Sequence, residues 1–199
     1  MSLTGEPIDA AWVAIDTPLT PGSLAAFCQD MERLYRINPY LEFHAWKQEG
    51  EDRARLTFKN LSNKREYDLK IRIRRESNFD FLIRYDQGAK KSTRLQIEAH
   101  ASGSRLRITD DYALPENSPT PDPEDADKSL HAWGVALHDY LRHEFKWGKH
   151  AFWRWYMRRV WIPMRPGARR ITYMLLMITL AEIALIALVM TIYWIENQR

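Results

Sequence analysis

The sequence predicts an α+β fold. A curved antiparallel sheet of about seven strands is set against a long helix on its C-terminal side, followed by a membrane-proximal amphipathic segment and one transmembrane helix. Three observations carry this. Between Leu41 and Ile108, apolar residues recur at every second position in six consecutive runs, the spacing of strands with one buried face. Before and after those runs they recur at steps of three and four, the spacing of amphipathic helices. Residues 171–194 read ITYMLLMITLAEIALIALVMTIYW, with Glu182 as their only formal charge.

The elements follow in order. Ala11 to Asp16 (AWVAID) is a short strand, broken by Thr-Pro-Leu-Thr-Pro-Gly, in which Thr20 or Ser23 is available as a helix cap. Leu24, Phe27, Cys28, Met31, Leu34 and Tyr35 form the stripe of a single helix, ended by Asn38-Pro39. The alternating runs are Leu41-Phe43-Ala45, Ala54-Leu56-Phe58, Tyr67-Leu69-Ile71-Ile73, Phe79-Phe81-Ile83-Tyr85, Leu95-Ile97-Ala99 and Leu106-Ile108. Turn residues such as Ser62-Asn63-Lys64, Asp86-Gln87-Gly88 and Ala101-Ser102-Gly103 separate them, so the strands form an antiparallel meander. Its wet face carries Lys70, Arg72, Arg74, Arg84, Arg105 and Arg107, which read as a solvated sheet exterior. Residues 115–123 contain four prolines and form a stiff linker. A second helix begins near Asp125, with Leu130, Trp133, Leu137 and Leu141 as the stripe that covers the sheet.

Past Phe145 the pattern turns aromatic and basic. Trp147, Trp153, Trp155 and Trp161 alternate with Lys146, Lys149, Arg154, Arg158 and Arg159; Arg142 precedes them, and Arg169 and Arg170 follow. That composition suits a segment lying among anionic lipid headgroups. The next stretch has the length to span a hydrocarbon core of roughly 30 Å, and Tyr173, Tyr193 and Trp194 sit where aromatic rings collect at the interface. Positive residues mark the cytoplasmic side, so a cytoplasmic N-terminal part and a tail anchor in the cell membrane are expected. Four regions result: a cytoplasmic domain 1–145, an interface segment 146–170, a transmembrane helix 171–194 and a short tail 195–199.

Composition narrows the function. The net charge of +3 hides a basic excess beside the membrane and an acidic stretch from Glu116 to Asp127, which favours lipid headgroups over nucleic acid as the partner. The opening MSLTGEPIDA has no basic region followed by an apolar core, so no secretory signal is expected. The single cysteine, Cys28, excludes an internal disulfide and lies on an apolar stripe, where a thiol serves as a small buried hydrophobe. His131, His138, His143 and His150 are spaced by seven, five and seven residues, not by the step that places two metal ligands on one helix face. No metal or cofactor is expected. Asp110 and Asp111 are strand neighbours pointing to opposite faces, and no nucleophile elbow, phosphate loop or dinucleotide fingerprint is present. Glu182 stands alone in the apolar span, either as a contact with another integral membrane protein or as a tolerated neutral acid.

The order strand, helix, six-strand meander and long helix resembles the START-like (SRPBCC, helix-grip) superfamily. The resemblance runs from about Ile8 to Phe145 and includes the helix-to-strand step Arg33-Leu34-Tyr35-Arg36-Ile37-Asn38-Pro39-Tyr40-Leu41-Glu42-Phe43. That superfamily usually has two short helices after its first strand, where this sequence shows one. The resemblance implies a sheet curled around the long helix over a cavity for a lipid, sterol, quinone or polyketide. Its walls would then be Phe27, Met31, Phe58, Tyr67, Phe81, Tyr85, Trp133 and Leu137, each of which also reads as plain core filling. The function expected is non-enzymatic binding or transfer of a hydrophobic ligand at the membrane. An accessory subunit docking through Glu182, or a cyclase-type enzyme, are the alternatives.

Overall fold

In the computed structural model, residues 10–88, 90–112 and 123–198 are described, side chains of 123–129 excepted. The linker expected at 115–123 lies outside them except for Pro123. The chain divides into two compact units, between Pro163 and Met164. The first therefore extends past the boundary at 145.

The first unit is built on seven antiparallel strands: β1 (Ala10–Thr17), β2 (Leu41–Gln48), β3 (Arg53–Asn60), β4 (Glu66–Ser77), β5 (Asp80–Tyr85), β6 (Lys90–His100) and β7 (Gly103–Tyr112). Their order in the sheet is β1-β7-β6-β5-β4-β3-β2, so β2 to β7 are the expected meander and β1 returns beside the last strand. One face is apolar: Leu56, Ile71, Ile83, Leu95, Leu106 and Ile108 are fully buried. The opposite face carries the charges, several of them paired, as in Arg55–Asp68, Arg94–Asp80 and Arg105–Asp16. The β6–β7 turn passes so close to the end of β1 that a Cβ on Gly103, at φ +143°, would fall 2.3 Å from the Thr17 carbonyl oxygen. Only glycine fits there.

The first helical region is two helices, α1 (Pro21–Gln29) and α2 (Met31–Arg36), not one. Thr20 caps α1 by accepting a bond from the Ser23 amide at 3.3 Å. Asp30 leaves helical geometry and caps α2, its carboxylate accepting from the Arg33 amide at 3.1 Å. The apolar stripe is uninterrupted across the break, because Phe27, Cys28, Met31, Leu34 and Tyr35 all remain buried.

Helix α3 (Pro123–Trp147) covers the sheet with Leu130, Trp133, Leu137 and Leu141 buried. It lies directly on β1: a side chain at Gly134 would meet Val13 Cγ2 at 2.7 Å. After α3 come α4 (Ala151–Tyr156) and a π-helical turn, Met157–Trp161. Met157 and Ile162 are buried in the same core, which is why the unit reaches Pro163. The second unit contains α5 (Pro166–Asn197), the one helix among the described residues long and apolar enough to cross a membrane. Its apolar side chains are exposed all round.

Candidate functional site

A bulge in β2 determines which side chains face the interior near the sheet's end. The register shifts between Phe43 and Ala45, so the strict alternation Leu41-Phe43-Ala45 fails after Phe43. Ala45 is exposed, and Trp46 takes the half-buried inward position instead. An extra residue on one strand rotates everything beyond it to the other face. A second shift, in β4 between Arg75 and Ser77, lies opposite the start of β5.

These irregular ends frame a cleft of about 770 Å³. The α1–α2 junction contributes Gln29, Asp30, Met31 and Glu32, while Trp46, Gln48, Glu51 and Asp52 come from β2 and the turn after it. Ile73, Arg75 and Phe81 complete the lining from β4 and β5. The apolar floor is thus Met31, Trp46, Ile73 and Phe81, and the rim is polar. The Arg75 guanidinium lies 5.6 Å from the Phe81 ring centroid. Asp30 is held by its capping bond and Glu32 by Arg36 at 2.7 Å. The volume falls within the range of small-molecule sites, roughly 300–1,000 Å³.

Of the eight expected wall residues, Met31 and Phe81 line this cleft. The other six are placed elsewhere, in an interior filled by rings. Trp133, Tyr35, Trp46, Phe43, Phe58 and Tyr67 follow one another with centroid separations of 5.3 to 6.0 Å. The Trp133 indole nitrogen donates to the Leu34 carbonyl at 3.1 Å, and Leu137 is fully buried. Phe27 stacks on Tyr140 at 5.8 Å. Arg33 lies against both rings, 5.0 and 5.1 Å from their centroids, with Nε donating to the Tyr140 hydroxyl at 2.9 Å and Nη2 3.0 Å from Glu144.

Tyr85 belongs to a buried polar chain. The Tyr35 and Tyr85 hydroxyls are hydrogen-bonded to each other. Tyr85 reaches Thr93 Oγ1 at 2.9 Å, Thr93 donates to Asp110 at 2.5 Å, and Lys90 Nζ bonds the other carboxylate oxygen at 2.5 Å. Asp110 is 1% exposed. Burial raises the pKa of both tyrosines, so they stay protonated. The alternation that marks Leu106 and Ile108 as inward also carries Asp110 inward, and Thr93 precedes Leu95 and Ile97 in the same way. Trp46 had no such signal, because nothing in its neighbourhood announces the bulge.

The basic–aromatic segment divides by direction. Trp153, Tyr156 and Trp161 pack against the core, Trp161 on Tyr140 at 5.7 Å. Trp147 and Trp155 point outward, as do Arg142, Lys146, Lys149, Arg154, Arg158 and Arg159. Trp153 and Trp161 are therefore inward-facing, contrary to the expectation of headgroup contact. Arg169, Arg170 and Glu182 belong to α5. His138 Nδ1 lies 3.1 Å from the Asp16 carbonyl oxygen and His143 Nδ1 2.7 Å from that of Asp139. Among the described residues no cluster of three His, Cys, Asp or Glu is placed to hold a metal ion.

No family model and no curated protein matches the chain by sequence. Its architecture does match solved structures. A Deinococcus radiodurans protein superposes with a TM-score of 0.51 at 14% identity over 70% of this chain and 99% of its own. A START superfamily protein from Mycobacterium smegmatis gives 0.51 at 15% identity, over 67% and 95%. A Nitrosomonas europaea protein gives 0.51 at only 5% identity, over 69% and 97%. At such identities the likeness is one of fold: the first unit has the START-like helix-grip architecture, with the second short helix that the sequence pattern hides.

Proposed function

We propose that this START-like domain binds a hydrophobic or amphipathic small molecule, of lipid, sterol, quinone or polyketide-like character, in the cleft beneath the α1–α2 junction. The observation that carries this reading is the cleft itself: about 770 Å³, with Met31, Trp46, Ile73 and Phe81 on its floor and polar groups at its rim. The lining is mixed, four apolar residues against seven polar or charged ones, which suits a molecule carrying both an apolar and a polar part. With α5 as a single-span anchor and the domain on the cytoplasmic face of the cell membrane, the protein would exchange its ligand with the adjacent leaflet. Tethering raises the local concentration of site and ligand, so tight binding is unnecessary.

Native mass spectrometry of the full-length protein, extracted gently with its surrounding lipid, tests the proposal. A retained small molecule, lost in an Ile73→Trp variant that fills the floor, is the expected result. An empty cleft in both proteins would overturn it. A second reading, an accessory subunit of a membrane complex, rests on Glu182, a carboxylate in an otherwise apolar span. A co-purifying integral membrane protein beside an empty cleft would favour it.

A further inference from the structure

We propose that the last turn of α3 together with α4 forms a docking surface for an anionic lipid bilayer, separate from the apolar span and built into the folded domain. The proposal goes beyond the ligand-binding reading and is independent of the cleft. It rests on the membrane tether.

The reasoning starts from side-chain direction. Helix α4 has six residues, too few to be stable alone in water or on a membrane surface. It is held because one side is part of the core: Trp153 and Tyr156 pack inward, and Met157 and Ile162 just beyond are buried. Arg154 Nη1 donates to the Gly148 and Lys149 carbonyls, both at 2.9 Å, and so fastens the connection from α3. With that side fixed, the other must face outward, and it presents rings. Phe145 is 57% exposed, Trp147 49%, Phe152 74% and Trp155 56%. Phe152 and Trp155 stack on one another at 6.0 Å, one helical turn apart. Together these four rings expose on the order of 400 Å² of apolar surface within a short stretch of chain.

The charge around the rings identifies the occupant. Arg142, Lys146, Lys149, Arg158 and Arg159 are all exposed. Arg142, Phe145 and Lys146 follow the three- and four-residue steps of one helix stripe at the end of α3, and Lys149 lies in the turn that leads to α4. The sequence has no Asp or Glu between Glu144 and Glu182, and Glu144 is engaged by Arg33. Interleaved aromatics and cations without acids fit the bilayer interface, where rings sit at headgroup depth and cations meet lipid phosphates. The chain enters its 24-residue apolar stretch at Ile171, ten residues after Trp161, which favours a bilayer over an acidic protein as the partner.

The test uses the full chain in vesicles of phosphatidylcholine, alone or with about a third phosphatidylglycerol. Buried Cys28 is replaced by alanine, and an environment-sensitive fluorophore is attached through Ala151→Cys beside the rings or Lys91→Cys on the sheet exterior. On anionic vesicles the probe at 151 should shift to the blue and be quenched by headgroup-labelled lipid several-fold more than the probe at 91. Reversing the charge of Lys146, Lys149, Arg158 and Arg159 should abolish that difference. Equal quenching at 151 and 91 on anionic vesicles would overturn the docking surface, and equal quenching on both lipid compositions would overturn its anionic preference. Alkaline carbonate distinguishes the underlying tether: protein washed from the vesicles would sink the tether reading as well.

Discussion

Asp110 is the buried charge on the inward face of β7, and its partners account for its presence there. Lys90 neutralises it and Thr93 satisfies a further lone pair, so the desolvation cost is offset at both oxygens. Asp110→Ala should strand the Thr93 hydroxyl in the core and cost about 2–4 kcal/mol, read from denaturant unfolding of the full chain in detergent. Asp110→Asn keeps an acceptor for Thr93 and should cost less. If the two variants unfold alike, the hydrogen bond contributes little and the charge alone matters. A second residue-scale expectation concerns alkali. Burial pushes the Cys28 thiol from 9.0 up to about 12 and the Tyr140 hydroxyl up to about 12, and it raises Tyr35 and Tyr85 as well. The folded state keeps these protons above the pH at which the unfolded chain releases them, so stability falls as pH rises. Cys28 sets the start of the decline at pH 9.0, its unfolded value, and the tyrosines steepen it above 10.0. The slope approaches about 1.4 kcal/mol per pH unit for each group. In Cys28→Ala the onset should move up toward pH 10.0, as seen in melting temperature against pH. An unchanged onset would show that Cys28 is not desolvated.

Among the elements, the α1–α2 pair places the cleft, and it was only half legible in the sequence. Periodicity finds the buried stripe from Leu24 to Tyr35 but not the break at Asp30, because the helices resume with the same face inward. Asp30 itself was the available signal: a cap-forming residue in the middle of an amphipathic run. The β2 bulge left no comparable trace, since no glycine or proline marks it, and Trp46 was missed with it. The strands and the inward chain Tyr85, Thr93 and Asp110 were open to period-two reading, because the register shift nearest them, between Lys90 and Ser92, falls before Thr93 and leaves Thr93–Asp110 to Ile97–Leu106 in step. Asp30→Ala should cost about 1 kcal/mol as a lost cap and weaken ligand retention through a less ordered α2. Gly134→Leu tests the other helix contact. Its side chain would collide with Val13, so α3 must lift from β1, at about 1–3 kcal/mol. A variant as stable as the parent would mean that α3 slides along the strand without cost.

For the whole molecule, the decisive residue is Glu182, where the cost of a charge meets the length of the apolar span. Eleven Leu, Ile and Val between Ile171 and Trp194 favour insertion by roughly 0.3–0.6 kcal/mol each near the helix centre. One acid at that depth opposes it by roughly 2.5 kcal/mol or somewhat more. The sum favours insertion with Glu182 in place, so the carboxyl is not needed for anchoring and does not prevent it. Glu182→Leu should therefore leave the protein as resistant to alkaline carbonate extraction as the parent. Its effect on company is the informative readout. In a lone anchor nothing else in the protein's associations changes on substitution. Against a second membrane protein it accepts or donates a hydrogen bond in a medium without water, and its loss releases that protein on detergent extraction. Co-purification compared between parent and Glu182→Leu thus separates a tethered carrier, whose associations stay the same, from a subunit whose partner departs.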